Sequence, residues 1–140
     1  MRLVLDTNVV VAAMLSPRGA SAELLRLAVR KRLTALGTLA VALEYQEVCV
    51  KIAAQATISE ADASRFANQV IALLEPVNRR FAWRPMSADP NDDMILEAAL
   101  NGRADALVTF NVRDFATPAR AFGLPVAVPS AILLALEQSP

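Results

Sequence analysis

Residues 2–9 read Arg2-Leu3-Val4-Leu5-Asp6-Thr7-Asn8-Val9, an apolar run that ends on a carboxylate and passes straight into a second apolar stretch. A short run rich in leucine and valine that stops at an acid predicts a buried parallel strand with the acid at its carboxyl end. In open α/β sheets ligands bind just outside that end. An acid there adds little to packing, so Asp6 is the first candidate functional residue. Its competing role is to cap a helix starting near Asn8.

Outward from this stretch, short apolar strands alternate with helical patterns. Strands are expected at 2–6, 33–36, 106–110 and 125–128, and 79–85 reads as a strand or an extended link. Helices are expected at 8–15, 21–31, 38–54, from a Ser59 cap to Leu74, from an Asp89-Pro90 start to Asn101, and at 130–137. Residues 111–115 read as a loop beyond the 106–110 strand. The alternation predicts an α/β chain in three layers, α/β/α, around a mostly parallel sheet. The 140 residues fit one domain, 1–140, with no repeat or linker.

Composition removes several chemistries. The chain contains no histidine, which rules out Ser-His-Asp and Cys-His catalysis and any zinc site built on His. Lys+Arg and Asp+Glu are both 14, so no global positive field advertises nucleic acid. No apolar run reaches the roughly 20 residues that span a bilayer. No signal peptide is expected, because Asp6 interrupts its apolar region. The single cysteine, Cys49, reads as core filler in a cytoplasmic protein. Hydrophobic residues make up 55%, above the usual value of about 45–50%. The excess suggests a buried sheet or a subunit interface, and the latter would make a homo-oligomer, a dimer or larger.

Three further acids can be argued to the edge where Asp6 lies. In the 38–54 helix the apolar stripe is Val41, Tyr45, Val48 and Ile52. At about 100° per residue Glu44 falls roughly 70° from its centre and Glu47 roughly 130° away, toward solvent. An acid at the margin of a core needs a partner or a metal. For Glu44 the alternative partner is an arginine. Asp92 stands three before Ile95 and seven before Ala99, on the apolar side of its helix, whereas Asp93 is expected to face solvent. Asp114 follows the 106–110 strand, where loop acids also make turns. Two bare carboxylates about 4 Å apart repel by about 4 kcal/mol at a surface-like dielectric. With oxygen ligands only, Mg²⁺ or Mn²⁺ is the usual compensation, and such metals serve phosphodiester hydrolysis.

Taken with LDTNV at 5–9, EYQEV at 44–48, DPNDDMILEAAL at 89–100 and VTFNVRDF at 108–115, the chain resembles the PIN-domain ribonucleases. The group it is most similar to is the VapC-like toxins of bacterial toxin–antitoxin pairs. The resemblance implies a metal-dependent endoribonuclease in which Mg²⁺ or Mn²⁺ activates water for in-line attack on RNA. It implies Asp6, Glu44, Asp92 and Asp114 as catalytic metal ligands, with Asn8, Thr109 and Asn111 in support, and an antitoxin protein as partner. Many relatives carry Asp where this chain has Asn111, so a second metal would be held more weakly. A basic rim for RNA is expected from Arg30, Lys31 and Arg32, and from Arg79, Arg80 and Arg84. Phe81 and Trp83 lie beside the second cluster as stacking candidates.

Other phosphoryl-transfer folds fit poorly. A haloacid-dehalogenase-like site wants Asp-x-Asp, but Asn8 holds the second place, and a receiver domain wants a late Lys, but none follows Lys51. The remaining competitor is a catalytically weak PIN-like binding or scaffold module with a residual metal site.

Overall fold

The computed structural model describes residues 1–81 and 89–138, so the expectations for Trp83, Arg84 and the link beyond Phe81 lie outside it. The described elements run β1 (Arg2–Leu5), α1 (Thr7–Leu15), α2 (Ala20–Val29), β2 (Thr34–Gly37), α3 (Leu39–Ala53) and α4 (Glu60–Leu73). They continue with β3 (Glu75–Pro76), α5 (Pro90–Asn101), β4 (Ala106–Val108), α6 (Val112–Ala121), β5 (Val126–Ala127) and α7 (Pro129–Glu137).

The strands form one parallel sheet in the order β3-β2-β1-β4-β5. β1 is central, with Leu3 opposite Ala35 on one side and Ala106 on the other. Leu3, Val4, Leu5, Leu36, Leu107 and Val108 are all shielded from water, as strands covered on both faces require. Chain order proceeds outward from β1 through β2 to β3, then returns to β4 and β5. The carboxyl ends of β1 and β4 therefore flank the topological switch point, where α/β sheets open a crevice.

The expected α/β/α architecture is what the chain adopts, with four local differences. Residues 112–115, expected as part of a loop, instead open helix α6, which runs on to Ala121. Phe115 and Ala119, one turn apart, are its buried face, and Pro118 within it masked the signal. β3 was missed because it is two residues long and contains a proline, which only an edge strand tolerates. Arg79, Arg80 and Phe81 carry no regular structure. The buried row of α3 is Val41, Tyr45, Cys49 and Ala53. It lies slightly to one side of the expected stripe, since Val48 and Ile52 are only half-buried. Cys49 is indeed core, and burial pushes its thiol up to about 11.

Candidate active site at the carboxyl ends of the strands

Asp6 is the first residue past β1, and its backbone N–H still pairs with the Val108 carbonyl at 2.8 Å. Its carboxylate does two things at once. Oδ1 accepts from the Thr7 N–H at 2.8 Å, which makes Asp6 the N-cap of α1. Oδ2 accepts from the buried Thr109 hydroxyl, just past β4, at 2.7 Å. Capping and site placement are thus two uses of the same side chain. Thr109 in turn accepts from the Asn111 N–H at 2.9 Å and, more distantly, from the Asn8 amide at 3.5 Å. Asn8 also receives the Phe110 N–H at 3.4 Å. The three supporting residues expected from the sequence thus meet around Asp6.

Glu44 comes from α3. No arginine pairs with it among the described residues, and it accepts from the Thr7 hydroxyl at 2.9 Å. The next residue, Tyr45, is fully buried, and its hydroxyl donates to the Leu5 carbonyl, immediately before Asp6. Burial and the nearby acids push the phenol up, so it stays a donor. One turn of α3 therefore ties two ligand candidates to the tip of β1. Neither Thr7 nor Tyr45 was singled out from the sequence. The signal for Thr7 was its position beside a strand-terminal acid.

α5 brings further acids. Asp89 is its N-cap, accepting from the Asn91 N–H at 2.9 Å, with Pro90 following in the first turn. Asp92 is half-buried, and its carboxyl is pushed up to about 6, chiefly by burial and then by the carboxylates of Asp89, Asp6, Asp114 and Asp93. Burial also raises Asp6, with Asp89 and Asp114 adding to it against the opposing bonds from Thr109 and Thr7. Glu44 is raised by burial, then by Asp6, Asp89 and Glu47. Asp6 follows β1 and Asp114 follows β4, Asp89 and Asp92 open the helix that leads back to β4, and Glu44 is bonded to Thr7. The chain order thus brings these acids to the carboxyl side of the parallel sheet. Asp89 was expected only as a cap. The excess of acids in DPNDD, more than capping needs, was the signal for it.

Two expectations require correction. Asp93 does not face solvent; it is 3% exposed, less than Asp92. α5 lies on β1, β2 and β4 and also touches α3, so Asp93, Leu96 and Glu97 form a second buried row that a single stripe could not anticipate. Among the described residues, Arg30, Lys31, Arg32 and Arg80 do not rim the acids, and Arg84 lies outside the described residues. Arg30, Lys31 and Arg32 precede β2, at the opposite edge of the sheet. Arg80 is tied through its N–H to Asn101 at the far end of α5, and Arg79 pairs with Glu97 at 3.7 Å. Asp114 and Arg113, both exposed, stand in the first turn of α6 beside the acids.

Hard oxygen donors suit Mg²⁺ or Mn²⁺. Among the described residues no three His, Cys, Asp or Glu side chains converge tightly enough to enclose an ion. The donor set instead fits an ion held by one or two carboxylates that keeps its own water and awaits a phosphate, as Mg²⁺ commonly does. Carboxylates kept close against their own repulsion are what a cation would relieve.

The fold and motifs can be compared with known proteins. The chain is similar to VapBC2 from Rickettsia felis, solved bound to a DNA fragment from their promoter. The TM-score is 0.66 at 21% identity, over 90% of this chain and 97% of that one. No curated protein matches it. A family model described as PIN domain matches residues 2–113. The chain belongs to the PIN domain family.

Proposed function

We propose that the chain is a metal-dependent endoribonuclease, the toxin of a toxin–antitoxin pair. The observation that carries this is the gathering of Asp6, Glu44, Asp89, Asp92 and Asp114 at the switch point, where burial and mutual repulsion raise three of them. Asp6, Glu44, Asp92 and Asp114 would hold Mg²⁺ or Mn²⁺. When bound, the ion lowers the pKa of coordinated water and neutralises phosphate charge.

The chain's own residues do the rest. Thr7 and Thr109 hold the Asp6 and Glu44 carboxylates in fixed orientations, so little reorganisation is needed when an ion arrives. Tyr45 fixes α3 against the tip of β1. Arg113, exposed and next to Asp114 in sequence, would be available to a phosphate, and Asn111 would add a neutral amide. A partner protein that masks the acidic edge fits the likeness to VapBC2. Leu39 and Leu43, exposed one turn apart on α3, suit a homo-oligomer. No described helix is long and apolar enough to cross a membrane.

The second reading, a binding module with a residual site, is favoured by Asn111 and by the absence of a closed three-carboxylate cage among the described residues. Cleavage of a mixed single-stranded RNA pool with Mn²⁺, Mg²⁺ or EDTA decides between them. Metal-dependent cleavage lost in Asp6→Asn supports the nuclease. Inert wild type across metals supports the module, and equal cleavage by both proteins removes Asp6 from the site.

A further inference from the structure

We infer that the amino edge of the sheet, opposite the acids, is a second nucleic-acid contact surface that grips a single strand by its phosphates. Arg2 opens β1, Arg30, Lys31 and Arg32 precede β2, Arg103 precedes β4, and Arg80 lies beside Asn101. Against these six cations stand Glu75, paired with Arg2 at 2.6 Å, and Asp105, which accepts the Arg2 N–H at 2.7 Å. Arg30, Lys31, Arg32, Arg80 and Arg103 are exposed and have no carboxylate partner among the described residues. A neutral chain has thus been sorted into an acidic edge and a basic one. Arg2, Arg80, Arg103 and Phe81 line a cleft of about 500 Å³ there.

The backbone supplies an independent observation. α2, α5 and α6 all end in the same cap, in which one residue takes left-handed φ and the next donates back to the helix. In α6 that residue is Gly123, φ +67°, with Leu124 N–H on the Ala119 carbonyl at 3.0 Å. In α2 it is Lys31, φ +60°, with Arg32 N–H on Leu27 at 2.9 Å. In α5 it is Arg103, φ +53°, with Ala104 N–H on Ala99 at 2.9 Å. Glycine is the unstrained residue at such positions, and the chain uses it once. At the other two it accepts a left-handed backbone to place a cation at the basic edge. Guanidinium forks and an exposed aromatic ring favour a phosphodiester strand over an acidic protein segment.

The inference rests on the nuclease reading only for the identity of the polyanion. Its test is fluorescence anisotropy of a labelled 20-nucleotide single-stranded RNA in EDTA, with wild type and Lys31→Gly/Arg103→Gly, over a salt series. The double variant relaxes both caps, so it is expected to melt no lower than wild type. Losing two phosphate contacts should lower the slope of log K against log salt by about 1.4 and the affinity about tenfold at 0.15 M. Unchanged affinity and slope would overturn the inference. So would loss of binding to a polyglutamate peptide with RNA binding intact, which assigns the edge to an acidic protein. If RNA binding falls as expected but wild type never cleaves with Mn²⁺, the nuclease reading fails and this one stands.

Discussion

Tyr45→Phe removes one oxygen atom and leaves the ring filling the same buried space. The Leu5 carbonyl then loses the hydroxyl that donates to it, in a region closed to water. Leaving a buried acceptor without that donor costs about 1–3 kcal/mol. Unfolding entropy near 2.1 cal/mol/K per residue gives about 0.3 kcal/mol/K for a chain of 140 residues, so Tm should fall by about 3–10 °C. The second effect is on the site, because the same turn of α3 carries Glu44 to Thr7. Wild type at a hundredfold excess of Mn²⁺ over its Kd should gain about 2.7 kcal/mol, or about 9 °C. Tyr45→Phe should gain distinctly less at the same Mn²⁺ concentration. Cys49→Ala, one turn along the same buried row, provides a destabilised control that should keep the full metal response. Differential scanning calorimetry with and without Mn²⁺ reads both quantities. A Tm within 1 °C of wild type would refute the bond, and equal metal responses in both variants would refute its part in the site.

Three more expectations follow from the geometry. Asp6, Glu44 and Asp92 are raised in the folded state, so the stability each contributes is present below the ordinary carboxylate range and is lost as pH rises through its folded value, which for Asp92 is about 6. In EDTA, Tm should therefore fall from pH 4.5 to 7.5 at constant ionic strength, with a shallower fall in Asp92→Asn; an identical fall in both would exclude Asp92. Thr109→Val keeps the volume but removes the donor to Asp6, which should cost about 1–3 kcal/mol and raise the Asp6 carboxyl further, as carbon-detected NMR titration would read. Gly102→Ala would bring a Cβ to 2.9 Å from both the Ala98 carbonyl oxygen and Val77 Cγ2, against backbone that cannot yield, so a loss of about 1–3 kcal/mol is expected. Gly37→Ala meets the flexible end of Leu74 instead and should cost less, and equal losses in thermal unfolding would contradict this.

The features legible in the sequence were those written as local pattern. The run ending at Asp6 announced the central strand, Glu44 was separable from Glu47 by angle alone, and Asp89-Pro90 marked the start of α5. Features set by packing were not legible. Asp93 is buried because α5 is enclosed by the sheet and α3, and periodicity within one helix cannot report a second enclosing surface. Thr7 and Tyr45 act through bonds to residues far apart in sequence, so their partners cannot be read from their neighbourhoods, although Thr7 does stand beside a strand-terminal acid. Arg30, Lys31 and Arg32 were legible as a cluster but not in their distance from the acids, since a charge run carries no information about strand polarity until β2 is known to run parallel to β1.

Asp6 precedes Thr109 by 103 residues, and Val108 and Thr109 supply the carbonyl and hydroxyl that hold it. During synthesis the acid is therefore made long before these two supports exist. Until β4 has emerged, the central strand has one open side and the Asp6 carboxylate is held only from its own helix start, by the Thr7 N–H. Contacts so distant in sequence form late and only as the sheet closes. Whatever chemistry the acidic edge performs is thus withheld from the growing chain and belongs to the finished one, a delay imposed by strand order rather than by any inhibitor.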